Sequence, residues 1–144
     1  MVKSVRDILR SKGSQVFAIE ADDTVFSALE LMAKENIGAL LVMHSGKPVG
    51  ILSERDYARK VILKGLSSPR LRVREIMTEA VCYTCPDQTV EECMALMTQK
   101  RCRHLPVLEN GQLSGMVSIG DLVKASIAEK EFIIGQLQNY IKGG

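Results

Sequence analysis

The chain has 144 residues, which is enough for one domain or for two small units that share a core. Its formal net charge is only +2 and it has no Trp, so the sequence does not predict a nucleic-acid-binding surface. No apolar run approaches the roughly 18 residues of a membrane helix, and the N-terminus lacks the apolar core of a signal peptide, so we expect a cytoplasmic protein without a membrane partner.

Local patterns along the first half predict a strand, a helix, two more strands and a second helix. Apolar residues at i, i+3, i+4 and i+7 after Thr24 indicate an amphipathic helix, and Thr24 is a suitable N-cap. In chain order we expect a strand at 15–19, the helix after Thr24, strands at 39–43 and 49–52 around a turn, and a helix from Ser53.

The second half repeats this order. We expect a strand at 80–84, a helix after the N-cap Thr89, strands at 105–108 and 114–117, and a helix from Ser118. The pair Asn110-Gly111 between the last two strands is a strong signal for a tight hairpin.

Direct comparison of the two halves confirms that they are copies. Residues 22–60 shifted by 65 positions give eleven identities in thirty-nine positions without a gap. The segment 5–9 also resembles 73–77 at a slightly larger offset. We therefore expect two α+β units of order β-α-β-β-α that pack face to face about a pseudo-twofold axis, because one unit alone buries little core. Residues 62–72 read as the linker.

Beyond the second copy, the segment from Asp121 to about Ile141 reads as one long helix with surplus apolar residues. Such a helix often packs against a partner, so we expect a homodimer through this segment. The alternative is that the tail folds back on its own core.

One sequence element with side chains suited to ligand binding occurs in both copies. Residues 50–56 read Gly-Ile-Leu-Ser-Glu-Arg-Asp, and residues 115–121 read Gly-Met-Val-Ser-Ile-Gly-Asp. A lone Ser-x-x-Asp is most simply a capping box at a helix start. Its repetition after Gly-apolar-apolar favours a ligand site, because a helix N-terminus attracts phosphate and a carboxylate can accept both ribose hydroxyls.

With this motif in both copies, nearly the whole chain resembles paired CBS domains (cystathionine β-synthase domains, or Bateman modules). The resemblance implies a first CBS domain at 8–65, a second at 73–133 and a helical extension at 134–144. It also implies an adenine-nucleotide sensor with AMP, ATP or NAD(H) as regulatory ligand, in clefts between the repeats, that signals to an unidentified target protein. S-adenosylmethionine is a further candidate ligand.

The resemblance places the ligand residues in two unequal clefts. The first combines Ser53, Arg55 and Asp56 with Cys82, Tyr83, Cys102, Arg103 and His104. The second combines Ser118 and Asp121 with Phe17, Ala18, Ile37, Gly38 and Ala39. Only the first has a cationic wall, because the segment 36–39 carries no positive charge. Unequal clefts suit either a long ligand such as NAD or AMP-like ligands of unequal affinity.

Other chemistries have weaker support. Cys82-x-x-Cys85 lies on or just after a predicted strand, where residues i and i+3 point to opposite faces, so neither a redox pair nor a metal site is expected. No nucleophile elbow, phosphate-binding loop or dinucleotide fingerprint is present, so an enzyme is not predicted. The alternative function is a dimeric scaffold that binds no physiological nucleotide.

Overall fold

A computed structural model describes residues 3–67, 69–79 and 81–143. The elements in chain order are α1 (Val5–Lys12), β1 (Ala18–Glu20), α2 (Val25–Glu35), β2 (Ala39–His44), β3 (Lys47–Ser53), α3 (Glu54–Tyr57) continued by a π-helical segment (Ala58–Ile62), α4 (Val73–Ile76), α5 (Val90–Lys100), β4 (His104–Glu109), β5 (Gln112–Ser118) and α6 (Ile119–Gly143). This mixed fold of two repeats and a long C-terminal helix confirms the predicted fold class.

The chain divides into two compact units. The central unit is Val16–Val81, and the terminal unit combines the segment up to Gln15 with the segment from Cys82 onward. Helix α1 therefore lies in the same unit as the second repeat, and α4 lies with the first repeat. In the terminal unit the Val5 N–H donates to the Gln88 carbonyl at 2.9 Å. In the central unit the Val73 N–H donates to the Asp23 carbonyl at 2.9 Å.

The central unit contains a three-stranded sheet in the order β1-β2-β3. Strand β1 pairs parallel to β2, and β2 pairs antiparallel to β3. The inward faces of this sheet and of α2 form the core with α4 and the π-helical segment. Its buried residues are Ala21, Val25, Ala28, Met32, Leu40, Val42, Leu52, Val61, Val73 and Ile76.

The terminal unit has a two-stranded sheet, β4-β5, packed on α1, α5 and the start of α6. Its core residues are Val5, Ile8, Val90, Cys93, Met97, Leu105, Val107, Val117 and Leu122. The predicted strand at 80–84 is wrong for the part that is described; Ala80 lies outside the described residues. Thr84 forms an isolated parallel bridge to Val107, and the Pro86 that follows lacks the N–H needed to extend a ladder.

Local geometry explains why the two repeats fold alike. Thr24 caps α2 and Thr89 caps α5, each through its side-chain oxygen. Both hairpins turn through two residues of positive φ, Ser45-Gly46 in the central unit and Asn110-Gly111 in the terminal unit. This conformation matches the twist of the strands. In each hairpin a bulge then shifts the register, between Val42 and Met43 and between Val107 and Leu108.

Candidate functional site

The predicted motif of the central unit lies where β3 ends and α3 begins. Ser53 is the N-cap of α3, and its N–H donates to Oδ2 of Asp56 at 3.0 Å. The Asp56 N–H donates back to Oγ of Ser53 at 3.1 Å. A complete capping box is therefore present, and it holds the carboxylate in one orientation at the start of the helix.

The second oxygen of Asp56 is also engaged. Oδ1 accepts a hydrogen bond from Thr78 Oγ1 at 3.1 Å and lies 3.3 Å from Lys60 Nζ. Lys60 in turn donates to the Ile76 carbonyl at 3.0 Å, which fixes its ammonium group near the carboxylate. The Asp56 side chain is only 12% exposed, so its negative charge is balanced locally by Lys60.

The terminal unit repeats the capping box with a different lysine. The Ser118 N–H donates to Oδ2 of Asp121 at 2.8 Å, and the Asp121 N–H donates to Ser118 Oγ at 3.1 Å. Lys12 Nζ from α1 lies 2.7 Å from the same Oδ2 and donates to the Met116 carbonyl at 2.9 Å. Burial raises the pKa of Asp121, but the hydrogen bonds from Lys12 and from Ser118 outweigh it and bring the pKa below its ordinary value.

Each motif begins with a glycine for a steric reason. A Cβ atom on Gly50 would lie 2.8 Å from both the Met77 sulfur and the Thr78 carbonyl oxygen. A Cβ atom on Gly115 would lie 2.8 Å from Cδ2 of Leu9. Met77 and Leu9 occupy matching places in the two similar leading segments. The glycine therefore lets the leading segment pack directly on the strand that carries the motif.

The residues that precede each hairpin lie beside the motif of the same repeat. The Glu54 N–H donates to the Gly38 carbonyl at 3.0 Å, and the Ile119 N–H donates to the Arg103 carbonyl at 2.8 Å. In the hairpin registers, Ala39 is opposite Ser53, and His104 is likewise opposite Ser118. The structure brings Arg103 next to the Asp121 motif of its own unit. That these segments also serve the motif of the other repeat stays a prediction.

A cavity of about 380 Å³ adjoins this junction in the central unit. Its lining includes the predicted site residues Ile37 and Gly38 together with Glu54 at the start of α3. Asp56 is not among its lining residues. The remaining lining comes from α2 and its C-cap: Leu29, Met32, Ala33 and Asn36.

Four of the predicted site residues occupy matching positions in the two units. Phe17 precedes β1, its carbonyl accepts from the Leu41 N–H at 3.1 Å, and its side chain packs with Ile37 on the central core. Cys82 and Cys102 hold these two positions in the terminal unit and pack on the terminal core. Ala18 is exposed and Ala39 is buried, so the small residues differ in accessibility.

The remaining predicted residues lie at the surface. Tyr83 is 37% exposed. Arg55 in α3 and Arg103 before β4 are exposed, and His104 is half-buried at the first position of β4. The structure brings Arg103, His104, Ser118 and Asp121 into one neighbourhood of the terminal unit. Lys12, Lys60 and Thr78 are additional motif contacts that the sequence interpretation did not include.

All four cysteines are free thiols: Cys82 and Cys102 are partly buried, Cys85 is exposed and Cys93 is buried. Burial is the main cause that raises the pKa of the Cys102 thiol to about 11, and burial also raises the pKa of the Cys93 thiol. Within the described ranges, no three side chains of His, Cys, Asp or Glu are grouped as metal ligands. In the same part of the chain, no helix has the length and apolar character needed to span a membrane.

Comparison with known proteins agrees with the two-repeat fold. The family model described as "CBS domain" matches residues 5–63 and 73–128. The chain belongs to the CBS-domain family. Each CBS match contains one copy of the Gly-x-x-Ser-x-x-Asp motif, and the resemblance drawn from the sequence is confirmed.

Individual relatives show the same organisation. CBS domain-containing protein CBSX3, mitochondrial, from Arabidopsis thaliana is 39% identical over 98% of this chain and 73% of its own length. A CBS-domain protein structure from Burkholderia ambifaria is 51% identical with a TM-score of 0.83, covering 88% of this chain and 95% of that one. A hexameric CBS-CP12 protein from bloom-forming cyanobacteria is 31% identical with a TM-score of 0.76, covering 85% of this chain and 71% of that one. The chain spans 23% of the length of several longer Arabidopsis relatives.

Proposed function

We propose that this protein is a regulatory module that binds an adenine nucleotide through its two Ser-x-x-Asp motifs and transmits the bound state to a partner protein. CBS-domain proteins are generally regulatory modules that bind adenosine ligands, and both repeats belong to that family. The observation that carries the proposal is the oriented carboxylate at each helix start, Asp56 and Asp121. AMP, ADP, ATP, NAD(H) and S-adenosylmethionine all carry the ribose that such a carboxylate can recognise.

The two carboxylates differ in how they are already engaged. Asp56 receives contacts on both oxygens, from Ser53 on Oδ2 and from Thr78 and Lys60 on Oδ1. Lys12 and the Ser118 N–H both approach Oδ2 of Asp121. We therefore assign ribose recognition in the terminal unit to Oδ1 of Asp121. A ribose at Asp56 has to share or replace the Thr78 and Lys60 contacts, since a carboxylate has about four acceptor positions.

The charge of nearby side chains also favours ligand binding at the Asp121 motif. Arg103 adjoins the Asp121 motif through its carbonyl, and its guanidinium can pair with a phosphate in a bidentate manner. The matching position in the central unit is Gly38, which has no side chain to contribute. We infer that the motif of Asp121 binds the phosphorylated ligand more tightly than that of Asp56.

A thermal-shift panel tests nucleotide binding directly. The panel contains AMP, ADP, ATP, NAD, NADH and S-adenosylmethionine. A ligand at about one hundred times its Kd adds about 2.7 kcal/mol to the stability of the folded state, which gives a clear shift of the melting temperature. Absence of a shift for every compound would contradict the proposed function.

Matched substitutions locate the ligand. Asp121→Asn and Arg103→Gln should weaken the tightest binding by about tenfold or more, since each removes one charge-assisted hydrogen bond. Asp56→Asn should have a smaller effect on that ligand. Asp7→Asn is the control, because Ser4 and Asp7 form a third Ser-x-x-Asp capping box outside the repeated motif: the Ser4 N–H donates to Asp7 Oδ2 at 3.0 Å, and the Asp7 N–H donates to Ser4 Oγ at 3.4 Å. Equal losses in Asp7→Asn and Asp121→Asn would show that capping alone explains the motif.

We also propose that α6 mediates a homodimer. Its exposed apolar residues Ile127, Ile134, Leu137 and Ile141 are spaced by 7, 3 and 4 positions, and each is more than half exposed. This spacing follows one face of a helix that can pack on a second copy. Self-association also occurs in the hexameric CBS-CP12 relative.

Measurement of the oligomeric state distinguishes a homodimer through α6 from a monomer whose tail folds back on its own core. Ile134→Asp combined with Leu137→Asp should convert a dimer to a monomer in light scattering, and Gln136→Asp on the same helix should not. A chain ending at Ser126 should behave like the double variant, since it retains the core residue Leu122. If dimers form without nucleotide binding, the scaffold function becomes the better explanation.

A further inference from the structure

The carboxylate of Asp56 is filled by donors of its own unit. Its Oδ2 accepts hydrogen bonds from the Ser53 N–H at 3.0 Å and from the Ser53 hydroxyl at 3.1 Å. Its Oδ1 accepts from the Thr78 hydroxyl at 3.1 Å and lies 3.3 Å from Nζ of Lys60. A carboxylate has about four acceptor positions, so a ribose hydroxyl binds to it only when one of these donors leaves.

The two donors on Oδ1 are specific to the central unit. Lys60 matches Ala125 of the second repeat, and Thr78 matches Arg10, which follows the leading segment of that repeat. An alanine side chain has no hydrogen-bond donor. In the terminal unit Lys12 instead approaches Oδ2 of Asp121. The oxygen to which a ligand has access therefore differs between the two motifs.

Thr78 and Lys60 differ in how firmly they are held. The Thr78 backbone pairs with Ile51 in both directions, at N–H to carbonyl distances of 2.9 and 3.0 Å. The Lys60 ammonium is held by the Ile76 carbonyl at 3.0 Å and by Asp56, and its side chain is 39% exposed. Because a lysine ammonium lies at the end of a flexible four-carbon stem, it can leave Oδ1 without a change of the backbone. Lys60 is thus the donor that a ligand displaces.

The electrostatic cost of this displacement depends on the ligand. The Asp56 side chain is only 12% exposed, so water solvates its charge poorly and the ammonium of Lys60 compensates it. A ribose hydroxyl restores the hydrogen bond to the carboxylate, but an uncharged ligand leaves the displaced ammonium without an anion. A phosphate on the same ligand gives the ammonium a new charge-assisted hydrogen bond.

We propose that Lys60 determines the class of ligand at the central motif: it admits ribose ligands that carry a phosphate and excludes those without one, such as adenosine and S-adenosylmethionine. In the free chain the ammonium occupies Oδ1 of Asp56. In the complex it pairs with the phosphate, and a ribose hydroxyl takes its place on Oδ1. This role of Lys60 rests on the proposed function, which assigns the ribose to the motif aspartates.

Calorimetric titration with AMP and adenosine tests this role, because the two ligands differ only in the phosphate. The chain carries Asp121→Asn and Arg103→Gln, so that the central motif is the intact one. AMP should bind at least about tenfold more tightly than adenosine. Adding Lys60→Met should bring the two affinities to within about threefold, since adenosine no longer displaces a charged group and AMP loses its cation.

Three further variants separate charge from hydrogen bonding. Lys60→Gln keeps a donor without the charge and should behave like Lys60→Met. Thr78→Val removes an uncharged donor from Oδ1, so it should tighten both ligands and leave their ratio unchanged. Arg59→Met removes an exposed cation one position before Lys60 and should change neither affinity. The same AMP-to-adenosine ratio in Lys60→Met and Arg59→Met would overturn the proposal, as would a wild-type ratio in Lys60→Gln.

The chain without the two terminal substitutions is titrated in parallel. If it binds AMP while the substituted chain binds neither ligand, with or without Lys60→Met, the central motif is not a ligand site. The role of Lys60 is then overturned, and the proposed function stands for the terminal motif alone. If the unsubstituted chain binds none of the nucleotides, the proposed function itself fails. Melting temperatures measured without ligand show whether each variant is folded.

Discussion

In both units a lysine lies against the motif aspartate, but the lysine comes from a different element in each unit. Each contains a motif aspartate at a helix start, and each places a lysine against it. In the central unit this is Lys60, one turn further along the same helical segment as Asp56. The matching position in the terminal unit is Ala125, which packs on the core, and Lys12 from α1 supplies the charge instead. The geometry of the carboxylate is thus retained while the source of its partner changes.

The glycine substitutions give the largest expected difference between the units. Gly50→Ala should lower the free energy of unfolding by about 2 to 3 kcal/mol, because its Cβ meets the Thr78 backbone carbonyl, which cannot move without displacing the chain. Gly115→Ala should cost only about 1 kcal/mol, because its Cβ meets the flexible end of Leu9. Denaturant unfolding of both variants measures the difference.

Gly135 in α6 offers the control for this comparison. A Cβ there has no neighbour within 4 Å, so Gly135→Ala should stabilise the helix by up to about 1 kcal/mol. Equal costs for Gly50→Ala and Gly115→Ala would show that the nearby backbone carbonyl is not what distinguishes the two motifs.

Local sequence patterns predicted most of the elements and both motifs. The spacing of Val25, Ala28 and Met32 located α2, and the tight turns located both hairpins, because these signals arise from neighbouring residues. The place of α1 could not be predicted in this way, because the contact of Val5 with Gln88 joins distant segments that share no periodicity. Lys12 was missed for the same reason.

The neighbour of each motif was predictable only to within one residue. The two-residue turn alone pairs His104 with Val117, and a bulge between Val107 and Leu108 shifts the register so that His104 lies opposite Ser118. The assignment of Arg103 to the Asp56 motif came from the family resemblance and stays a prediction. The prediction of a strand at 80–84 was wrong, because a pattern of apolar residues does not show how many backbone N–H and carbonyl groups form hydrogen bonds to a neighbouring strand.

Loss of the contact between Lys12 and Asp121 should change the free energy of unfolding by an intermediate amount, and this change should depend on pH. The pKa of folded Asp121 lies below the ordinary value of 3.8, because the donors Lys12 and Ser118 outweigh burial. The folded state therefore gains stability above about pH 4, where the unfolded carboxyl is ionised, and loses it as the pH falls through the lowered value. Lys12→Met should cost up to about 1 kcal/mol at neutral pH, because the pair is partly exposed.

The pH dependence is what separates this contact from simple packing. The difference in unfolding free energy between wild type and Lys12→Met should shrink when measured at about pH 3. Lys12→Gln serves as the control for side-chain length, and it should follow the Met variant. A difference that stays constant between the two pH values would mean that Lys12 stabilises the unit through its alkyl chain alone.

The smallest expected effect comes from exchanging the hairpin turns. Ser45 and Asn110 both adopt positive φ, at 52° and 54°, before a glycine. Asn tolerates this region better than Ser because its short amide can hydrogen-bond to the local backbone. Ser45→Asn should therefore stabilise the central unit by about 0.5 kcal/mol, and Asn110→Ser should destabilise the terminal unit by a similar amount.

Because the two turns have the same backbone, equal and opposite changes in unfolding free energy would show that the hairpins are interchangeable. A change of the same sign in both variants would show that the side chains at these positions act through contacts beyond the turn.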